Sequence, residues 1–273
     1  MKYGTLFIVP TPIGNLADIT FRAVEVLESA AIIGAEDTRN SIKLLNHYNI
    51  TTKMISYHKF NERKRVEEIL DILQSGADVA IISDAGTPGI SDPAGIIINE
   101  AISNNIKIEV LPGATSFIPA LIASGLNIER FHFIGFLPEQ KKKKDILLEQ
   151  LKEIEATLIF FEAPKKLKQF LKCIYDHLGD RKICIVREIS KIYETYYRTT
   201  LKEALKYPEQ IINKGEFVIV VDGFEQQPLS DEILIKKLSE FLKMGYSKKT
   251  SVNKICSETG ENKNRIYNLV LKL

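Results

Sequence analysis

The chain has 273 residues, more than one ordinary domain of roughly 100–200 residues, so two or three units that each bury a core are expected. Its 45% hydrophobic and 26% charged residues describe a globular chain, and no apolar run reaches the length of about 18 residues that a membrane helix needs. A formal net charge of +2 is too small to announce a nucleic-acid protein by itself. Cys173, Cys184 and Cys256 are odd in number and far apart, which argues against a disulfide framework and for a reducing compartment. Met1-Lys2-Tyr3-Gly4 leads straight into Leu6-Phe7-Ile8-Val9 without the architecture of a signal peptide, so a cytoplasmic location is expected.

Short apolar runs alternate with amphipathic stretches through the first part of the chain. Strands are predicted at 5–10, 31–35, 53–57, 78–82 and 107–111, and helices at 20–30, 38–48, 62–75 and 94–105. Each helix follows a strand, which predicts an α/β layer built largely on parallel strands. A second series starts after Pro112-Gly113, with strands at 131–136, 157–162, 182–187 and 216–222 and helices at 115–124, 143–153, 165–177 and 200–206. The run from Glu194 to Thr199 directly follows the one at 182–187, so the second sheet is expected to be mixed. Two α/β domains are therefore predicted, at 1–113 and 114–223. Phe224-Glu225-Gln226-Gln227-Pro228 reads as a linker to a helical tail at 229–273, with helices at 230–243, 247–258 and 261–272. Cys256, Gly260 and Ile266 have the spacing of a helix-turn-helix. The same residues also suit a plain three-helix segment with Gly260 as a C-cap, and both readings stay open.

The richest segment is Ser83-Asp84-Ala85-Gly86-Thr87-Pro88-Gly89-Ile90-Ser91-Asp92-Pro93, directly after the apolar run Val79–Ile82. A buried strand that empties into a loop with two carboxylates, two glycines and two prolines is suited to holding a ligand at its carboxyl end. The glycines allow close backbone approach, and the prolines fix the loop before the ligand arrives. Asp84 and Asp92 can accept hydrogen bonds from a nucleoside-like ligand. The plainer alternative is a turn in which Ser91 or Asp92 caps the next helix.

Other chemistries are disfavoured. His47, His58, His132 and His177 form no pair at zinc-site spacing, and there is no Cys-x-x-Cys, so no metal is expected. No Gly-Lys dipeptide and no Gly-x-Gly occur, which removes the P-loop and the dinucleotide fingerprint. Polar groups instead recur where strands should end: Glu36-Asp37-Thr38-Arg39; Ser56-Tyr57-His58 with Asn61 and Glu62; Glu162; and Arg187-Glu188 with Lys191 and Glu194. Strand ends of one direction converge on one crevice, so a cleft is expected there. Basic clusters at Lys141–Lys144, Lys165-Lys166-Lys168, Arg63-Lys64-Arg65 and around Lys248, Lys249, Lys254, Lys263 and Arg265 suit RNA phosphates or simply a solvated helix face.

Six motifs in order then carry a resemblance. They are Pro10-Thr11-Pro12-Ile13-Gly14-Asn15-Leu16, Ala35-Glu36-Asp37-Thr38-Arg39, Ser83–Pro93, Leu111-Pro112-Gly113-Ala114, Gly135-Phe136-Leu137-Pro138 and Lys214-Gly215-Glu216. Over residues 5 to 223 the chain resembles the small-subunit ribosomal RNA (cytidine 2′-O) methyltransferases of the tetrapyrrole-methylase superfamily, and the tail resembles that family's C-terminal segment. The resemblance implies S-adenosylmethionine in a cleft between two α/β domains, no metal, a cytidine ribose in the decoding region as acceptor, and a homodimer. It implies cofactor contacts from Pro12, Asp84, Ala85, Gly86, Thr87, Thr115 and Ser116. Ala94 departs from the family's usual glycine, and Lys166 stands where arginine is frequent, which removes a bidentate guanidinium.

Transfer to a ribose hydroxyl needs alignment and removal of one proton. Glu36, His58 and Glu162 are the candidate bases. Arg39, Asn61, Glu62, Lys166, Arg187, Glu188 and Lys191 are candidate substrate contacts, with small-subunit RNA or the assembled subunit as partner. Two alternatives are a methylase acting on a tetrapyrrole or other small molecule, and a non-enzymatic nucleic-acid binder led by the tail.

Overall fold

The computed structural model describes residues 2–212, 214–225, 229–271 and 273. Residues 226–228 of the predicted linker and Lys272 of the last predicted helix lie outside the described residues. Met1–Phe224 forms one compact unit and Glu225–Leu273 another.

The first unit begins with β1 (Thr5–Ile8), α1 (Phe21–Ser29), β2 (Ile32–Ala35), α2 (Thr38–His47), β3 (Met54–Ser56), α3 (Glu62–Gln74), β4 (Val79–Ile82), α4 (Gly95–Ser103) and β5 (Lys107–Val110). The five strands pair in the order β3-β2-β4-β1-β5, all parallel. Every residue of β2 and β4 is buried, as a parallel sheet covered on both faces requires. Period-two alternation sorts the side chains. Leu6, Ile8, Val79 and Ile81 pack with Val66, Ile69 and Leu73 of α3 and with Ile97 and Ala101 of α4. Ile33, Ala80 and Ile82 pack with Ala23 and Leu27 of α1 and with Leu45 of α2.

The second sheet follows: α5 (Phe117–Ser124), β6 (Phe131–Gly135), α6 (Lys141–Leu151), β7 (Thr157–Glu162), α7 (Leu167–Leu178), β8 (Lys182–Arg187), β9 (Thr195–Thr200), α8 (Leu201–Lys206) and β10 (Phe217–Val221). Its order is β6-β7-β10-β8-β9, with β6 and β7 parallel and the other pairs antiparallel, so the expected mixed sheet is present. Phe160, Ile185 and Ile219 face Leu148 of α6 and Ile174 of α7. Ile159, Cys184, Val186 and Val220 face Ala120 and Leu121 of α5. Alternation again assigns the faces.

Several predicted boundaries move for local reasons. The helix expected over 165–177 begins at Leu167, because Pro164 opens a separate 3-10 turn through Lys166. The helix expected from 94 begins at Gly95 with no side-chain cap, so neither Ser91 nor Asp92 is spent as one.

The second unit holds α9 (Asp231–Lys243), α10 (Lys248–Thr259) and α11 (Lys263–Val270). Ser230, Ser247 and Asn262 accept the capping N–H groups. Gly260 ends α10 in the left-handed region at φ 69°. Leu234, Leu238, Val252, Ile255 and Ile266 give this unit its own core. Arg265 is engaged by Asp231 and Glu261, which withdraws it from the basic cluster read in the sequence. No helix among the described residues is long and apolar enough to cross a membrane.

Candidate cofactor and substrate cleft

All five parallel strands deliver their carboxyl ends to one edge of the first sheet. The second sheet does the same by register: Glu162 pairs with Phe217, Phe217 with Arg187, and Arg187 with Thr195. Ends of β7 and β8 thus share an edge with the start of β10 although the strands run in both directions.

The loops at the first edge are locked together through their backbones. Thr11 and Gly86 exchange two N–H···O bonds, each 2.9 Å, in a short antiparallel bridge, and Thr11 Oγ1 donates to Ser83 O at 3.0 Å. Gly86 sits at φ +81°, a conformation that L side chains rarely adopt. Thr87 Oγ1 donates to Ala114 O at 3.2 Å, tying the β4 loop to the loop after β5. Pro12, an expected cofactor contact, is buried and lines neither the cleft that these loops border nor its recess.

Opposite these loops stand residues of the second sheet, and the space between is a cleft of about 330 Å³. Ala85, Ser91, Asp92 and Ser116 form one wall; Phe161, Glu162, Ile189, Phe217 and Val218 form the other. A narrower recess continues to Gly86, Thr87 and Thr115. Phe161 is braced by Phe133 and Phe136 at centroid distances of 5.0 and 5.6 Å. An apolar wall facing carboxylate and hydroxyl groups suits a nucleoside with a polar tail.

Three carboxyl groups around this cleft have raised pKa values. Glu36 is pushed up by burial and then by the neighbouring Asp92 carboxylate, with His58 pulling the other way. Asp92 is pushed up by burial and by Asp84, against a Ser83 hydrogen bond. Glu162 is pushed up by burial, against the Ala163 N–H and the charges of Lys166 and Lys144. Glu36 therefore feels both Asp92 and His58, while Glu162 stands on the opposite wall from Asp92.

The expected residues sort into distinct places. Ala85, Gly86, Thr87, Thr115 and Ser116 line the cleft or its recess. Asp84 does not: its Oδ1 accepts from Asp37 N at 3.1 Å and its Oδ2 from Asn40 Nδ2 at 3.0 Å, so its carboxylate joins the loops after β2 and β4. Asp37 caps α2, and the Arg39 guanidinium bound to it holds its carboxyl at about 2. Lys166 forms an exposed pair with Glu139 at 2.9 Å. Asn61 holds its own turn, accepting from His58 N and donating to Ser56 O.

Glu62 and Arg187 require correction as substrate contacts. Glu62 is buried and accepts from the Tyr57 hydroxyl at 3.0 Å. Arg187 is buried, and donates from Nε to Lys214 O at 2.6 Å and from Nη1 to Tyr193 O at 3.1 Å. Both are satisfied inside the fold. Glu188 and Lys191 belong with Glu216: Lys191 Nζ lies 3.0 Å from Glu188 Oε1 and 2.9 Å from Glu216 Oε2. Burial works against the Glu188 carboxylate, but Lys191 and the Glu216 N–H outweigh it and hold its pKa below the usual range.

The sequence did not single out Phe161, Ile189, Phe217 and Val218 as cleft residues, because an apolar residue near a strand end reads as core.

One parallel and one mixed five-stranded sheet, with a cleft lined by residues of both, are the architecture of a methylase family. The family profile described as Tetrapyrrole (Corrin/Porphyrin) Methylases matches residues 5–205. Among solved structures, the methyltransferase CobJ superimposes with a TM-score of 0.63 at 16% identity, covering 83% of this chain and 97% of CobJ. A uroporphyrin-III C-methyl transferase from Thermus thermophilus complexed with S-adenyl homocysteine gives 0.56 at 17%, covering 80% and 97%; these likenesses show the fold. Full-length relatives are nearer in sequence. Ribosomal RNA small subunit methyltransferase I of Halalkalibacterium halodurans is 42% identical, covering 97% of this chain and 94% of the relative. The protein of that name in Synechocystis is 41% identical over 99% and 98%, and that of Bacillus subtilis 39% over 97% and 93%. The chain belongs to the tetrapyrrole methylase family and, within it, to the ribosomal RNA small subunit methyltransferase I group.

Proposed function

We propose that this chain is an S-adenosylmethionine-dependent methyltransferase whose acceptor is the ribose 2′-oxygen of a cytidine in the decoding region of small-subunit ribosomal RNA. The observation that carries the reading is the cleft itself, with Ser116 and Asp92 on one side and Phe161, Ile189 and Val218 on the other, in a chain 42% identical to a ribosomal RNA small subunit methyltransferase I. The geometry fits a nucleoside cofactor: apolar residues suit the base, while the hydroxyl and carboxyl groups of Ser116, Thr115 and Asp92 suit its polar parts.

When bound, S-adenosylmethionine supplies a methyl group made electrophilic by its sulfonium charge. The residues of the chain hold the acceptor hydroxyl in place, exclude water and take one proton. Orientation contributes most, since fixing two reactants removes the entropic part of the barrier. The proton passes to Glu36, His58 or Glu162; Glu162 lines the cleft, and Glu36 neighbours Asp92 of the facing wall. Burial raises the Glu36 and Glu162 carboxyls, which makes each a stronger base once ionised. Arg39, Lys166 and Lys191 are assigned to the phosphate backbone, Lys166 by exchanging its exposed Glu139 partner for a phosphate. Cytoplasmic location, a homodimeric state, and the division of the α/β part at residue 113 belong to this reading.

Calorimetric titration with S-adenosylmethionine, with Ser116→Leu and Asp92→Ala as controls, tests the cleft. Binding by the wild-type chain that both substitutions weaken by tenfold or more supports the reading. Unaltered binding in both would remove the cofactor from this cleft.

A further inference from the structure

Phe60 is 96% exposed, and it is not on a loose loop. The turn that carries it is held by His58 N to Asn61 Oδ1 at 2.8 Å, Asn61 N to His58 O at 2.9 Å and Asn61 Nδ2 to Ser56 O at 3.0 Å. The Phe60 N–H itself donates to His58 Nδ1 at 3.3 Å. The ring stands edge-on to the His58 imidazole at a centroid distance of 6.1 Å. A built turn thus holds a large apolar ring in water, where it contributes nothing to a core.

Its surroundings are cationic. Lys59, Arg63 and Lys64 are exposed on either side. Arg63, Lys64 and Arg65 occupy the first turn of α3, whose partial positive charge favours anions. The acidic residue there, Glu62, is buried on Tyr57, and Asn61 provides no side-chain cap. An arrangement unfavourable to the free helix becomes favourable when an anion lies over it. The turn also adjoins the loops of the cleft: Tyr57 N donates to Ala35 O at 2.8 Å, and the next residue, Glu36, accepts through Oε2 from Asp84 N at 3.4 Å, beside Ala85 of the cleft wall.

We propose that Phe60 is a stacking platform for an unpaired base of the RNA next to the methylated nucleotide, with Lys59, Arg63 and Lys64 taking the adjoining phosphates. Aromatic rings interleaved with cations are how proteins grip single-stranded nucleic acid, since every base offers a π-face. The inference rests on the RNA-methyltransferase reading and adds where the flanking nucleotide lies.

The full-length chain is assayed with labelled S-adenosylmethionine and small-subunit RNA, comparing wild type, Phe60→Ala and Phe60→Trp. Phe60→Ala raises KM for RNA by about tenfold or more, leaves the affinity for S-adenosylmethionine unchanged, and melts at the wild-type temperature because the ring packs on no core. Phe60→Trp restores KM. Replacing Lys59, Arg63 and Lys64 by Gln flattens the dependence of log KM on log salt by about 0.7 for each phosphate no longer neutralised. A wild-type KM for Phe60→Ala, in an enzyme that does methylate RNA, overturns the inference alone. If the wild-type chain labels no RNA, the proposed function fails and the platform fails with it.

Discussion

The carboxylate of Glu188 occupies the space that any side chain at Gly215 would need. A Cβ built on Gly215 would lie 2.5 Å from Glu188 Cδ, and the backbone there has φ +93°. Glu188 Oε1 in turn accepts from Glu216 N at 2.8 Å and from Lys191 Nζ at 3.0 Å. The glycine therefore lets one carboxylate join the loops that precede β10 and follow β8.

Gly215→Ala should accordingly cost about 1–3 kcal/mol from overpacking and backbone strain. In a chain of this size the melting temperature falls by several degrees. A melting temperature equal to wild type in thermal denaturation would show that the loop yields freely.

The proton acceptor is tested by Glu36→Ala, His58→Ala and Glu162→Ala, one at a time. One of them should lower kcat by about 10²–10⁴ while S-adenosylmethionine binding is retained. Wild-type rates in all three would leave alignment as the whole of the catalysis.

Glu36 gives a stability prediction with a definite sign. Its folded-state pKa is raised, chiefly by burial, so the folded chain prefers the protonated form and ionisation above the ordinary carboxylate range opposes folding. Glu36→Gln should melt above wild type at pH 7. The difference should shrink as pH falls through the raised pKa and vanish below the ordinary value, where both forms are neutral. A mutant that melts lower at pH 7 would assign Glu36 a net stabilising contact instead.

Much of the fold was legible in the sequence, and the reasons are specific. Val79–Ile82 and the apolar run into Ala35 are continuous, as strands covered on both faces must be, and each is followed by an amphipathic helix. The cleft was legible as a loop, Ser83–Pro93, but not residue by residue. Both Asp84 and Asp92 suit a nucleoside-like ligand by residue type, and the resemblance favoured Asp84; the fold spends Asp84 on Asp37 and Asn40 and leaves Asp92 facing the cavity. Glu62 and Arg187 looked like site residues because charge follows an apolar run. Their partners are Tyr57 and the carbonyl oxygens of Lys214 and Tyr193, and the inward direction of the two side chains is not carried by the charge pattern.

The two compact units have separate cores, so a chain ending at Phe224 should fold and bind S-adenosylmethionine with wild-type affinity in calorimetry. Its affinity for small-subunit RNA in a filter-binding assay assigns the tail. A fall of tenfold or more gives the helices around Gly260 a share in RNA contact, and no change removes the tail from recognition.

The most direct test is transfer of labelled methyl from S-adenosylmethionine to purified small ribosomal subunits lacking their modifications, followed by nuclease mapping of the labelled nucleotide. Label is expected on the ribose 2′-oxygen of one cytidine in the decoding region. Label on a base, or no label on RNA from a chain that binds S-adenosylmethionine, would contradict it.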